Sequence, residues 1–86
     1  MNNLYHGLYL QLVTRLVTLL EAQALWPEIE GICRAAVALD PYNEVLYQHL
    51  LRALLQQEKQ QDAADIYQRM SDLLFDTFGV MPTEES

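Results

Sequence analysis

The stretch Leu39–Leu51, "LDPYNEVLYQHLL", sets a proline between two segments that both read as helix. Pro41 has no backbone donor and its ring clashes with the preceding turn, so a helix does not run through it undisturbed. The residues on either side decide what the break means. Upstream, Ile29, Ile32, Cys33, Ala36 and Leu39 repeat at helical spacing; downstream, Leu46, Tyr47, Leu50, Leu51 and Leu54 do the same. "DPYNE" is therefore a joint between two amphipathic helices rather than a kink in one.

Working outward, two more helices appear. Before the joint, Tyr5, Leu8, Tyr9, Leu12, Val13, Leu16, Leu19 and Leu20 form an apolar stripe over about residues 4–22, with Gln11, Thr14, Thr18 and Glu21 on the other side. That stripe spans roughly half the circumference, wider than the ~100° that one neighbour requires. Helix one is thus expected to pack on more than one partner. After the joint, "QQEKQQD" is a polar link, and Ala63, Ile66, Tyr67, Met70, Leu73, Leu74 and Phe78 give a fourth helix over about 61–78.

The helix ends carry their own signals. Asn2 or Asn3 is placed to cap helix one. Pro27 sits in the first turn of a helix over 26–39, where its missing donor costs nothing, and Glu28 and Glu30 suit that end of the helix dipole. Gly79 can take the left-handed conformation that closes helix four, with Val80 folding back on Phe75 and Pro82 barring continuation; 79–86 is a polar tail. Helix three fills the remaining span, about 43–57.

Sliding the sequence by 34 positions lays Leu12 on Leu46, Leu16 on Leu50, Leu20 on Leu54, Ile32 on Ile66 and Leu39 on Leu73. A 34-residue helix–turn–helix period is that of tetratricopeptide repeats. Ala63 and Tyr67 in the second unit, and Ala36 and Pro41 in the first, fit that pattern; its Trp, Gly and Tyr of the first helix are missing from both. The expected fold is all-α: one domain, 1–86, of two stacked antiparallel helical hairpins. Two units fall short of the three or so that such stacks need, so further helices of a longer protein or a second copy are expected to complete it. Charges at Leu16 or Leu50 are expected to unfold the domain, by stranding in its core.

Composition narrows the function. Hydrophobic residues make up 51% of the chain, too many for disorder. Twelve acids face five bases, a net charge of −7, and Arg15, Arg34, Arg52 and Arg69 are dispersed, so the basic patch that direct nucleic-acid binding requires is missing. Cys33 alone forms no internal disulfide, which fits a cytoplasmic protein. Gln11, Thr14, Arg15 and Thr18 interrupt the longest apolar run, short of the ~18 residues of a membrane span. His6 and His49 lack ligand-spaced companions, so no metal site is expected. Cys33 lies on an apolar stripe without an activating cation, and no glycine-rich phosphate loop occurs. Glu28/Glu30 and Asp72/Asp76 lie on polar faces, so no catalytic residue and no cofactor is expected. In a tetratricopeptide-like stack the first helix of each pair lines the groove, and the candidate partner-binding residues are Gln11, Thr14, Thr18, Gln48, His49 and Arg52.

Three stretches carry a resemblance to a known family: "LYLQLVTRLVTLL" (8–20), "AVALDPYNEVLYQHLLRALL" (36–55) and "DIYQRMSDLLFDTFGVMP" (65–82). In that order they resemble the bacterial transcriptional activator domain, the tetratricopeptide-like part of activators of the antibiotic-regulatory-protein type. The resemblance covers about Leu8 to Glu84; "LDPYNE" and the Gly-Val-x-Pro ending at Pro82 are its more specific motifs. It implies a cytoplasmic regulator whose winged helix-turn-helix domain, usually N-terminal, binds DNA. The helical domain would then act through protein contacts with that domain, the transcription machinery or a second copy. The usual "G(R/D)xxEA" opening of the second helix is replaced here by "ALWPEIE" (24–30), which leaves the packing of Trp26 open. A freestanding peptide-binding adaptor and a structural homodimerisation module are the alternative readings.

Overall fold

A computed structural model describes residues 3–78, with side chains from Gly7 to Phe75. The Asn2/Asn3 cap, Tyr5, His6, Asp76, Phe78 and the Gly79–Val80–Pro82 stop fall outside the described side chains. Four helices follow one another: α1 (Asn3–Ala22), α2 (Trp26–Leu39), α3 (Glu44–Gln56) and α4 (Gln60–Phe78). Among the described residues there is no strand. Each helix packs on the next in order, α1 on α2, α2 on α3 and α3 on α4. The fold is the expected stack of two antiparallel hairpins.

The joint at Pro41 is built from side chains as well as from the proline. The Asp40 amide donates to the Ala36 carbonyl at 2.9 Å and closes α2. Asn43 then caps α3: its side-chain oxygen accepts from the amides of Val45 and Leu46 at 3.1 and 3.3 Å. Its side-chain nitrogen donates to the Asp40 carboxylate at 3.1 Å, holding the cap in place. Such a cap satisfies two of the donors that a helix start leaves free.

The 34-residue period is visible in the backbone. After α1, the Leu25 amide donates to Leu20 O and the Ala24 amide to Glu21 O, both at 3.0 Å; after α3, Lys59 donates to Leu54 O at 2.9 Å and Glu58 to Leu55 O at 3.0 Å. Both are Schellman closures, with the left-handed residue at Ala24 (φ 57°) and Glu58 (φ 63°). Neither is glycine, so each turn carries about 1 kcal/mol of backbone strain. The second helix of each pair opens alike, Ile29 N on Leu25 O and Ala63 N on Lys59 O. Pro27 lies in the first turn of α2, with Glu28 beside it.

The core runs along the stack: Val13 and Val17 from α1; Ile29, Cys33, Ala36 and Val37 from α2; Leu46, Tyr47, Leu50, Ala53 and Leu54 from α3; Ala63, Ile66, Met70 and Leu74 from α4. Leu51, Ile32, Tyr67 and Leu73 pack against it half-buried, as does Trp26, which gives that residue its packing partner. The stripes expected for α3 and α4 agree with this core over the described residues.

The stripe expected for α1 agrees only in part: Tyr9, Val13 and Leu20 do turn to the core, and its leucine row does not. Leu12 is 68% and Leu16 44% exposed, and Leu8 and Leu19 are exposed as well. The face turned inward is Tyr9, Leu10, Val13, Val17 and Leu20, displaced by one residue from the leucine row. α1 carries two apolar rows about 100° apart, and its one extensively packed neighbour, α2, covers only one of them. Leu39, expected inside, is also exposed; it closes α2 at the edge of the stack, and Val37 takes the inward place. The expectation that a charge at Leu16 would unfold the domain is corrected accordingly, while at the fully buried Leu50 it stands.

Candidate functional site

Two carboxylates tie the hairpins together. Glu21, in the last turn of α1, accepts from Arg52 of α3 at 2.8 Å and lies 2.9 Å from His49 Nδ1. Burial raises its pKa, but the His49 and Arg52 bonds and charges outweigh that and hold it below the usual value. Glu30 of α2 takes Lys59 Nζ at 2.9 Å and Gln57 Nε2 at 3.0 Å on one oxygen, and Arg34 Nε at 2.9 Å on the other. The Lys59 bond, opposed by burial and reinforced by Arg34 and Gln57, brings its carboxyl down to about 2. Both clamps are structural: each donor sits on a carboxylate that belongs to the neighbouring turn or helix of the stack.

This bears on the candidate partner residues. His49 and Arg52 are engaged on Glu21, and Gln48 beside them is exposed. Gln11, Thr14 and Thr18 lie on the outer surface of α1, where two shallow depressions of about 430 and 410 Å³ meet along Thr14 and Arg15. The Thr14 hydroxyl donates to Leu10 O at 2.8 Å and the Thr18 hydroxyl to Thr14 O at 2.9 Å. With their hydroxyls turned back on the helix, these threonines contribute methyl groups to a surface on the side of α1 away from Leu12 and Leu16; of the exposed leucines, Leu19 alone lines a depression with them. The candidates thus split into an apolar trough on α1 and an ion-paired set on α3.

The leucine row is the part of this site that sequence reasoning assigned to the core. The signal that identifies it is the excess width of the α1 stripe, together with the repeat register. Leu12 and Leu16 occupy the places of Leu46 and Leu50, which are buried because a hairpin precedes them.

No group of three or more potential metal-binding side chains occurs among the described residues. Cys33 is fully buried, and burial pushes its thiol up to about 11, away from the reactive thiolate. Among the described residues no helix is long and apolar enough to cross a membrane.

The family model described as bacterial transcriptional activator domain matches residues 4–86. No curated protein and no solved structure matches the chain.

Proposed function

Since the chain belongs to the bacterial transcriptional activator domain family, we propose that it is the non-catalytic regulatory and protein-interaction part of a cytoplasmic activator, with DNA bound by a separate winged-helix domain. The uncovered leucine row of α1 carries this reading: four large apolar side chains, Leu8, Leu12, Leu16 and Leu19, stand in solvent on one helix. Contiguous exposed apolar surface of this kind marks a contact site for another macromolecule. The net charge of −7 and the dispersed arginines support leaving DNA to another domain.

Within this reading Gln11, Thr14 and Thr18, with Gln48, His49 and Arg52, remain the proposed partner surface. The α1 trio lies on the polar side of the helix and meets the leucine row at Leu19, which lines a depression with Thr18; His49 and Arg52 answer first to Glu21. A gel-shift titration tests the proposal. The chain alone should retard no promoter fragment at physiological salt up to roughly 100 µM, the weak end of non-specific affinity. Sequence-specific retardation by the chain alone would refute it.

A further inference from the structure

We propose that the leucine row of α1 is covered by the same row of a second copy, in a two-fold α1–α1 contact; this names the partner for the surface just described and rests on that reading. Leu8, Leu12, Leu16 and Leu19 follow one another at intervals of 4, 4 and 3 residues, a ridge that two helices can interdigitate.

Charge selects the face. All twelve acids lie at or beyond Glu21, and the described part of α1 before it holds one formal charge, Arg15, whose stem lets the guanidinium reach the rim. Two bodies of net charge −7 repel one another, and across this row they meet with no carboxylate of its own on either side. Glu21 itself is occupied by His49 and Arg52.

The register speaks for a helix-to-helix contact rather than one more in-register hairpin. On α3 the face turned to the preceding hairpin ends in Ala53, packed with no exposure. The equivalent place on α1 is Leu19, three carbons larger. A neighbour seated as hairpin one is seated on α3 would collide with it, whereas a row of leucines meeting a row of leucines accommodates it.

Symmetry closes the argument. The other exposed large apolar side chains among the described residues, Leu39, Tyr42, Val45, Leu55 and Phe75, are dispersed over the joint, the end of α3 and α4. Among the described residues they form no second row of four aligned side chains for a head-to-tail contact, and an isologous pair closes at two copies.

Light scattering on the chain at rising concentration tests this. The expected mass is twice the 9.9 kDa of one chain, with a melting temperature that rises with concentration. The double variant Leu12→Gln/Leu16→Gln should give the single-chain mass with its helical circular dichroism kept, because both positions are exposed, and Leu39→Gln should stay paired. A single-chain mass for the wild type at millimolar concentration overturns the proposal, and so does open-ended association or a double variant that still pairs. These results leave the DNA-binding question untouched; the gel-shift titration decides that separately.

Discussion

The two hairpins carry the same leucines at the same places and use them differently. Leu46 and Leu50 are buried at 1% and 0% exposure, while Leu12 and Leu16, 34 residues earlier, stand at 68% and 44%. Their local structure is alike: both first helices end in the same Schellman closure, and both second helices start from the residue that completes it. What differs is the neighbour. α3 lies between α2 and α4 and hides apolar side chains over a wide arc, whereas among the described residues α1 packs extensively on α2 alone. Burial is thus set by place in the stack, and an apolar residue reports only that some surface will cover it.

Truncation should break the symmetry between the two rows most visibly. Leu46→Ala is expected to cost about 2–5 kcal/mol, the transfer of a buried side chain plus the cavity left behind. Leu12→Ala, its counterpart, should cost well under about 1 kcal/mol at concentrations where the chain is monomeric. Urea unfolding of the pair measures both.

The joint comes next in size. Asn43→Ala removes the acceptor for Val45 and Leu46 and the donor that reaches Asp40. A loss of about 1–2 kcal/mol is expected, readable as a lower urea midpoint with an unchanged slope.

The clamps predict an acid limb. Glu30 is held near 2 when folded against an ordinary 4.5; a depressed folded pKa contributes stability that is fully present above the unfolded value. Stability should therefore fall as pH drops from about 5 toward 2, where the unfolded chain takes up the proton first. Glu21, also lowered, adds in the same direction. Glu30→Gln should be less stable at neutral pH and show a shallower acid dependence, measured by melting temperature against pH.

The smallest expected effect has the opposite sign. Ala24→Gly and Glu58→Gly, at equivalent left-handed positions, should each raise stability by about 0.5–1 kcal/mol by relieving backbone strain. Equal gains would show that the two turns are as alike energetically as they are in geometry.

Much of the fold was legible in the sequence because helical periodicity and the proline joint are local signals. The rows of α3 and α4 were read correctly, since each has a neighbour on the side that the pattern indicates. α1 was read only in part, because two adjacent rows, Leu8–Leu12–Leu16–Leu19 and Tyr9–Val13–Val17–Leu20, both satisfy the period, and the expected stripe took in most of both. Val13, in that stripe, and Val17, outside it, both face inward. Tertiary contact, invisible to a single-chain pattern, made that choice. Of the candidate partner residues, the engagement of His49 and Arg52 was not legible, since Glu21 lies 28 and 31 positions away. The roles of Asn43 and of the Schellman turns were also missed; no glycine marks those turns, and their hydrogen bonds alone reveal them.

The most direct test of the account compares Leu16→Asp with Leu50→Asp by thermal unfolding at low concentration. Leu50→Asp should abolish the cooperative transition, because it strands a carboxylate in the packed interior. Leu16→Asp should melt close to the wild type. Equal collapse of both variants would show that the leucine row of α1 lies inside the fold, and would contradict the claim that hairpin one presents an open apolar face.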